Sequence, residues 1–390
     1  MFRLKNFVIA AWCLVVFAPA SGRSADLSPY LDSETIAVVR VNLKEFKVAL
    51  PGIYKYLENA SKKAIDEVLP PNDPLKPQLV GLVIQSQIPM TMFTGKFFQE
   101  VVTGCNVEEV YAIVYRDALM AQAFPVLLAV PIPEGASQKQ IDTIRAQYLN
   151  LEIPVTFVRH GFVVGIPVMD ELFASQQQTM AFARKKFMEP SSQTRPEIVA
   201  ALDAQPGALV QFVVGRIDQF QKDVETQINV FKPMLMMMPK EQRDEVDQAL
   251  KMVPVIFQSL NSLSFSYDYA KPEIRQVIQL KDEQTAKMFL EMNLEQMKKS
   301  EEMLTQFPVI ENPLEINAQN PGITPEALAA TKDLFKAIQM KQEGNDVVTL
   351  IDSAGMVKLE ALVYESVKSF IAGMYTGFKI GEDIRMNQFR

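Results

Sequence analysis

One histidine, His160, and two cysteines, Cys13 and Cys105, are the whole stock of imidazole and thiol in 390 residues. That stock excludes H-E-x-x-H zinc hydrolases and any site built on several histidines. Cysteine–histidine catalysis would need Cys105 beside His160. "TGCNVEE" around Cys105 has no recognisable nucleophile context, so a structural cysteine is expected. His160 lies in "VRHGFV", where His-Gly between two β-rich runs reads as a two-residue hairpin turn with Gly161 at positive φ. "TGKF", Thr94 to Phe97, fails as a phosphate loop: Met90 stands where its first glycine belongs, and Phe97 replaces the magnesium-binding hydroxyl. There is no G-x-S-x-G elbow, no G-x-G-x-x-G and no EF-hand ladder. Glu343, Asn345 and Asp346 in "KQEGNDV" could hold calcium weakly, but a polar hairpin turn explains them equally. The acidic pairs Glu108–Glu109 and Glu301–Glu302 read as solvated faces, because glycosidase chemistry needs carboxylates roughly 5–10 Å apart across a cleft. No catalytic, cofactor-binding or metal-ligating residue is therefore assigned, and no cofactor is expected. The sequence leans away from an enzyme without excluding one.

Methionine remains as the unusual feature, with 20 residues. "IPMTMF" carries Met90 and Met92; "PMLMMMP" carries Met236, Met237 and Met238. Methionine fills irregular cores and also lines adaptable binding surfaces. The five residues form a candidate apolar binding surface, with core packing or an interface between repeats as the alternative use.

The elements that would position these residues follow from periodicity. "TIAVVRVNL" reads as a strand, and Ile53, Leu57, Ala60, Ala64 and Val68 make a helical stripe that "PPNDP" ends. Strands are expected at "VYAIVY", "PVLLAVPI" and "VTFVRHGFVVGI". A helix opens at the Ser137/Gln140 capping box, with Ile141, Ile144 and Tyr148 on one face, and another begins near Asp170. The second half repeats the order. "ALVQFVVGRI" opens it, and a helix follows from Phe220. "SLSFSYDY" and "EIRQVIQL" pair, and Asp282 caps a helix carrying Ala286, Phe289 and Leu290. "QMKQEGNDVVTLID" is a hairpin, and Leu359, Val363, Val367, Phe370 and Met374 stripe a last helix.

Each half reads β-α-β-β-α-β-β-α, the ferredoxin-like order with an extra strand and helix. Ile36/Val210, Val38/Phe212, Val39/Val213, Leu43/Ile217 and Phe46/Phe220 match in character across the halves. The expectation is an α+β chain of two related domains, each an antiparallel sheet with helices mainly on one face. Residues 26–188 and 198–390 would be the repeats, joined by the polar, proline-bearing linker 189–197.

The amino terminus has the order of a secretory signal. Arg3 and Lys5 precede the apolar run Phe7 to Ala18, and Ala18 and Ala20 stand as an A-x-A site. The run has about 12 residues, where a membrane-spanning helix needs roughly 20. Residues 1–25 are read as a signal peptide cleaved near Ala20 to Ser24. Trp12 before Cys13 argues against lipidation. Without its leader the chain keeps one cysteine, Cys105, so no intramolecular disulfide can form. A formal charge of −7 lacks the basic stripe that nucleic acids require.

"YLDSETIAVVRVNL", directly after the leader, resembles exported bacterial proteins of unknown function of the planctomycete type. Asn42 stands where that pattern usually has aspartate. The resemblance implies export and a duplicated α+β build, and brings no active site. The leading expectation is a non-catalytic exported binding or structural protein of the cell envelope, periplasmic or extracellular. Its partner would be an envelope or extracellular protein. A carrier of an apolar ligand, using the methionine segments, comes second, and an exported hydrolase without a recognisable motif third.

Overall fold

The computed structural model describes residues 26–81, 98–116, 126–150, 155–166, 195–216, 258–315 and 322–388. Among the described residues ten strands form one antiparallel sheet: β1 (Thr35–Asn42), β2 (Glu109–Tyr115), β3 (Val126–Pro131), β4 (Val155–Arg159), β5 (Phe162–Ile166), β6 (Val210–Val214), β7 (Leu260–Asp268), β8 (Glu273–Leu280), β9 (Gln339–Glu343) and β10 (Asp346–Ile351). Their spatial order is β4-β5-β3-β2-β1-β6-β7-β8-β10-β9. Read outward from the middle, the left half runs first, second, third, fifth, fourth strand, and so does the right half. Both halves therefore carry one topology, and β1 pairs antiparallel with β6 at the seam.

The helices among the described residues are α1 (Leu43–Val68), α2 (Gln138–Asn150), α3 (Pro196–Asp203), α4 (Glu283–Leu304), α5 (Pro325–Ala337) and α6 (Ser353–Gln388). Caps set several of their starts. The Asn42 side chain accepts from the Glu45 N–H at 2.8 Å, and Asp282 accepts from Thr285 at 2.8 Å. At Ser137 the box closes both ways: Gln140 Oε1 accepts from the Ser137 N–H at 2.9 Å, and the Gln140 N–H reaches Ser137 Oγ at 3.4 Å. Asn42 thus does the capping work an aspartate would do, and α1 starts ten residues before the stripe at Ile53. The expected helices from about Asp170 and from Phe220 lie outside the described residues.

The two faces of the sheet bury different partners. On one, Val38, Tyr111, Ile113, Leu127, Phe162, Val164 and Val213 pack under Leu27 to Leu31 and under Ile198 and Leu202 of α3. Burial pushes the Tyr30 phenol up to about 12, and its hydroxyl donates to the Arg159 carbonyl at 2.7 Å. On the other face, Val110, Val130 and Val163 meet Leu43 and Phe46 of α1, a π-helical turn at Phe98–Thr103, and Ile144 of α2. α4 covers the second half of that same face through Ala286 and Phe289. Among the described residues the helices lie mainly on one face.

The seam sets which residues of the two opening strands stand opposite each other. Val38 pairs with Val213 and Val39 with Phe212. Paired residues share a face, so Val38 and Val213 are both core, while Phe212 points the other way and is 36% exposed. Val38 and Phe212, alike in character as positions of the two repeats, therefore lie on opposite faces of the sheet.

Two buried arginines fasten the seam. Arg40 donates from Nη2 to the carbonyls of Gln205 at 2.9 Å and Pro206 at 2.7 Å, and from Nη1 to Leu202 at 3.4 Å. Those oxygens are at and just beyond the end of α3, where helix carbonyls lack intrahelical donors and the dipole favours a cation. Opposite Arg40, Gln211 donates to the Ala201 carbonyl at 2.8 Å. Arg195, at the end of the expected linker, pairs with Glu197 at 2.6 Å and donates to the carbonyls of Thr35 and Arg216, both at 2.7 Å. Gly215 is required there, because a Cβ would stand 2.5 Å from Arg195 Nη2 and 2.9 Å from Ile198. The rest of the linker, 189–194, is outside the described residues.

Candidate functional site

Residues singled out for chemistry in the sequence are scattered. His160 and Gly161 turn the β4–β5 hairpin with φ of 48° and 77°, both positive as a type I′ turn requires. The His160 ring meets Tyr30 edge-on at 6.0 Å. Cys105 is buried on the opposite face, its Sγ 3.2 Å from the Glu100 carbonyl, and burial pushes its thiol up. A thiol so placed reacts slowly. Maleimide should label Cys105 at least about 100-fold faster in guanidinium than in the native protein; equal rates would contradict this placement.

Glu108 pairs with Lys44 at 2.6 Å, while Glu109 is buried in β2 opposite Asn42. Glu343 is held by Lys341 at 2.6 Å and by Arg275 at 3.4 Å, and Gly344 takes the positive φ of the hairpin turn. Glu301 and Glu302 ride on α4, apart from the others. Among the described residues no group of three or more His, Cys, Asp or Glu side chains could hold a metal ion. Met90, Met92, Met236, Met237 and Met238 lie outside the described residues.

The ionisable groups that do converge join the two halves. α6, the last helix of the second half, packs along α1, the first helix of the first. Ile371, Ala372 and Tyr375 meet Ala64, Ile65, Val68, Leu69, Leu75 and Leu79. At one end the Tyr56 hydroxyl donates to the Glu360 carbonyl at 2.9 Å. Burial and the Glu360 charge hold the Tyr56 phenol above its ordinary range. At the other end the Tyr375 hydroxyl donates to Asp73 at 2.5 Å, and Lys379 lies 3.5 Å from the same oxygen. The Tyr375 bond and the Leu75 N–H hold Asp73 below the usual carboxylate range.

Between these ends lies a charged layer. Lys368 is 3.4 Å from Glu67 and 3.7 Å from Glu365. Lys63 is 3.6 Å from Glu67 and 4.4 Å from the centre of the Tyr364 ring. Burial raises Glu67, but the Tyr364 hydroxyl and Lys368 outweigh it and leave the carboxyl below its ordinary range. Glu365 goes the other way. Burial raises it, Lys368 opposes, and Glu326 of α5 and Glu67 add to the rise. The arrangement is a clasp of acids, bases and phenols drawn from α1, the turn that follows it and α6.

Sequence reasoning missed this clasp. The local signal was present in the Lys63–Glu67 spacing and in "YESVK", a charged interruption of an apolar helix. Of the expected stripe on α6, Val367 and Met374 pack against the core shared with α1, while Val363 is 37% and Phe370 66% exposed. Tyr364, Glu365, Lys368, Ile371 and Tyr375 complete the inward face. Among the described residues no helix is long and apolar enough to cross a membrane.

No protein-family model matches the chain, and no curated protein matches it. Among solved structures, crystal form I of TP0453 shares 9% identity over 88% of this chain and 98% of that one, at a TM-score of 0.31. Crystal form III shares 9% over 91% and 97%, at 0.28. Overlap at that level carries no inference about activity.

Proposed function

We propose that this chain is an exported, non-catalytic binding or structural protein of the cell envelope, made of repeats 26–188 and 198–390 after loss of a signal peptide. The charge–apolar–small order of residues 1–25 supports export, as does the resemblance of "YLDSETIAVVRVNL" to exported planctomycete-type proteins. The observation that carries binding is the outer stripe of α6. Val363 and Phe370, two turns apart, lie on the solvent side of the helix, 37% and 66% exposed. Water-exposed aromatic anchors on a rigid helix are what partner surfaces offer. The partner in this reading is an envelope or extracellular protein.

Cell fractionation together with affinity capture from the native envelope tests the reading. The wild-type chain should be recovered without residues 1–25 and should retain a protein partner. Phe370→Asp should lose that partner at an unchanged melting temperature. Recovery of the full-length chain from the cytoplasm, or equal capture by both proteins, would overturn it.

A further inference from the structure

Glu365 sits mid-helix on α6 with 8% of its surface exposed, and its Oε2 accepts no hydrogen bond. Its nearest cation, Lys368, is shared with Glu67 of α1. Lys63 of α1 serves Glu67 as well and lies over the Tyr364 ring. α5 contributes Glu326, a third carboxylate acting on Glu365. Three carboxylates on three helices thus face two ammonium groups, leaving one surplus negative charge. The surplus falls hardest on Glu365, the carboxylate with least water and the poorest contact. Ionising a buried carboxyl without full pairing is costly, and a proton removes both the desolvation and the repulsion.

We propose that Glu365 makes the α1–α6 clasp a proton-operated latch, tight when Glu365 is protonated in mild acid and looser when it ionises toward neutral and alkaline pH. The latch goes beyond the binding role and stands on the junction's own geometry.

The direction follows from linkage. Docking raises the affinity of Glu365 for its proton, so the clasp is strongest below the ordinary glutamate value of 4.5 and weakens as pH rises through the raised, docked value. Glu67 and Asp73 act oppositely. Their docked values are depressed, so their contribution is present above the ordinary range and is lost as pH falls through those values. Docking should therefore peak in mild acid and decline on both sides, with Glu365 setting the upper limb up to neutral pH and the raised phenols of Tyr56, Tyr364 and Tyr375 acting only in alkali.

Hydrogen exchange on the whole chain, corrected for intrinsic rates, reads the latch directly. From pH 5 to pH 8 the opening of α6 should increase severalfold in the wild type, as docked Glu365 gives up its proton. Peptides from β2 should not change. Glu365→Gln should hold α6 near its closed level across that range, varying less than about twofold, because an amide has no proton to lose there. Glu326→Gln, which removes one repelling charge and leaves Glu365 in place, should give an intermediate slope and serves if the first variant folds poorly. A flat wild-type profile would overturn the proposal. So would a Glu365→Gln profile as steep as the wild type, or a clasp that tightens toward pH 8.

Discussion

Arg40→Ala should destabilise the protein by about 3–5 kcal/mol in urea unfolding, among the largest effects of any single substitution outside the apolar core. Arg40 is 2% exposed, in the strand that joins the halves, and its guanidinium donates to the carbonyls of Leu202, Gln205 and Pro206. Without it, three oxygens at the end of α3 are left inside the protein short of their donor, and a cavity opens beneath them. Arg40→Met separates the two causes, because it keeps most of the stem and removes every donor. If hydrogen bonding dominates, Met should recover less than half of the loss. A deficit under about 1 kcal/mol for Ala would mean that water reaches these carbonyls and that the seam does not depend on Arg40.

The surroundings of Arg40 show where sequence reading succeeds and where it stops. Local chemistry was legible. "EIRQVIQL" is β8, residue for residue, and the caps at Ser137 and Asp282 and the His160–Gly161 turn each depend on groups within three residues of one another. The start of α1 was not, because Pro51 and Gly52 together resemble a helix stop. The helix runs through both. Gly52 is retained where a Cβ would stand 2.7 Å from the Tyr269 hydroxyl, a neighbour from the other half of the sheet. The fate of charged residues was illegible for the same reason. Nothing near Arg40 in sequence announces that its partners are some 160 residues away, and nothing near Glu365 announces Glu67. Long-range pairing decides whether a charge is a solvated face or a buried lock. Side-chain type alone cannot.

Register is the other quantity that only pairing sets, and one substitution pair tests it at the seam. Val213→Asp should cost about 4 kcal/mol or more, enough to prevent folding if the protein is only marginally stable. Val213 has no exposed surface, pairs with Val38, and lies in the cluster that holds Ile198 and Leu202 of α3. A carboxylate there has no water and no counter-charge of its own. One residue earlier, Phe212→Asp should cost only about 1–2 kcal/mol, since that position points to the opposite face and leaves 36% of its surface in solvent. The contrast follows from strand alternation, in which neighbours face opposite ways. It also discriminates between registers. A seam shifted by one residue, with Val38 opposite Phe212, would bury Phe212 and expose Val213. Under that alignment the aspartate at 212 would be the damaging one. Melting curves of the two variants, compared with the wild type, should therefore rank Val213→Asp far below Phe212→Asp. The reverse order would show that β1 and β6 pair one residue out of step with the seam described above, and would move Arg40 and Gln211 away from the end of α3 as well.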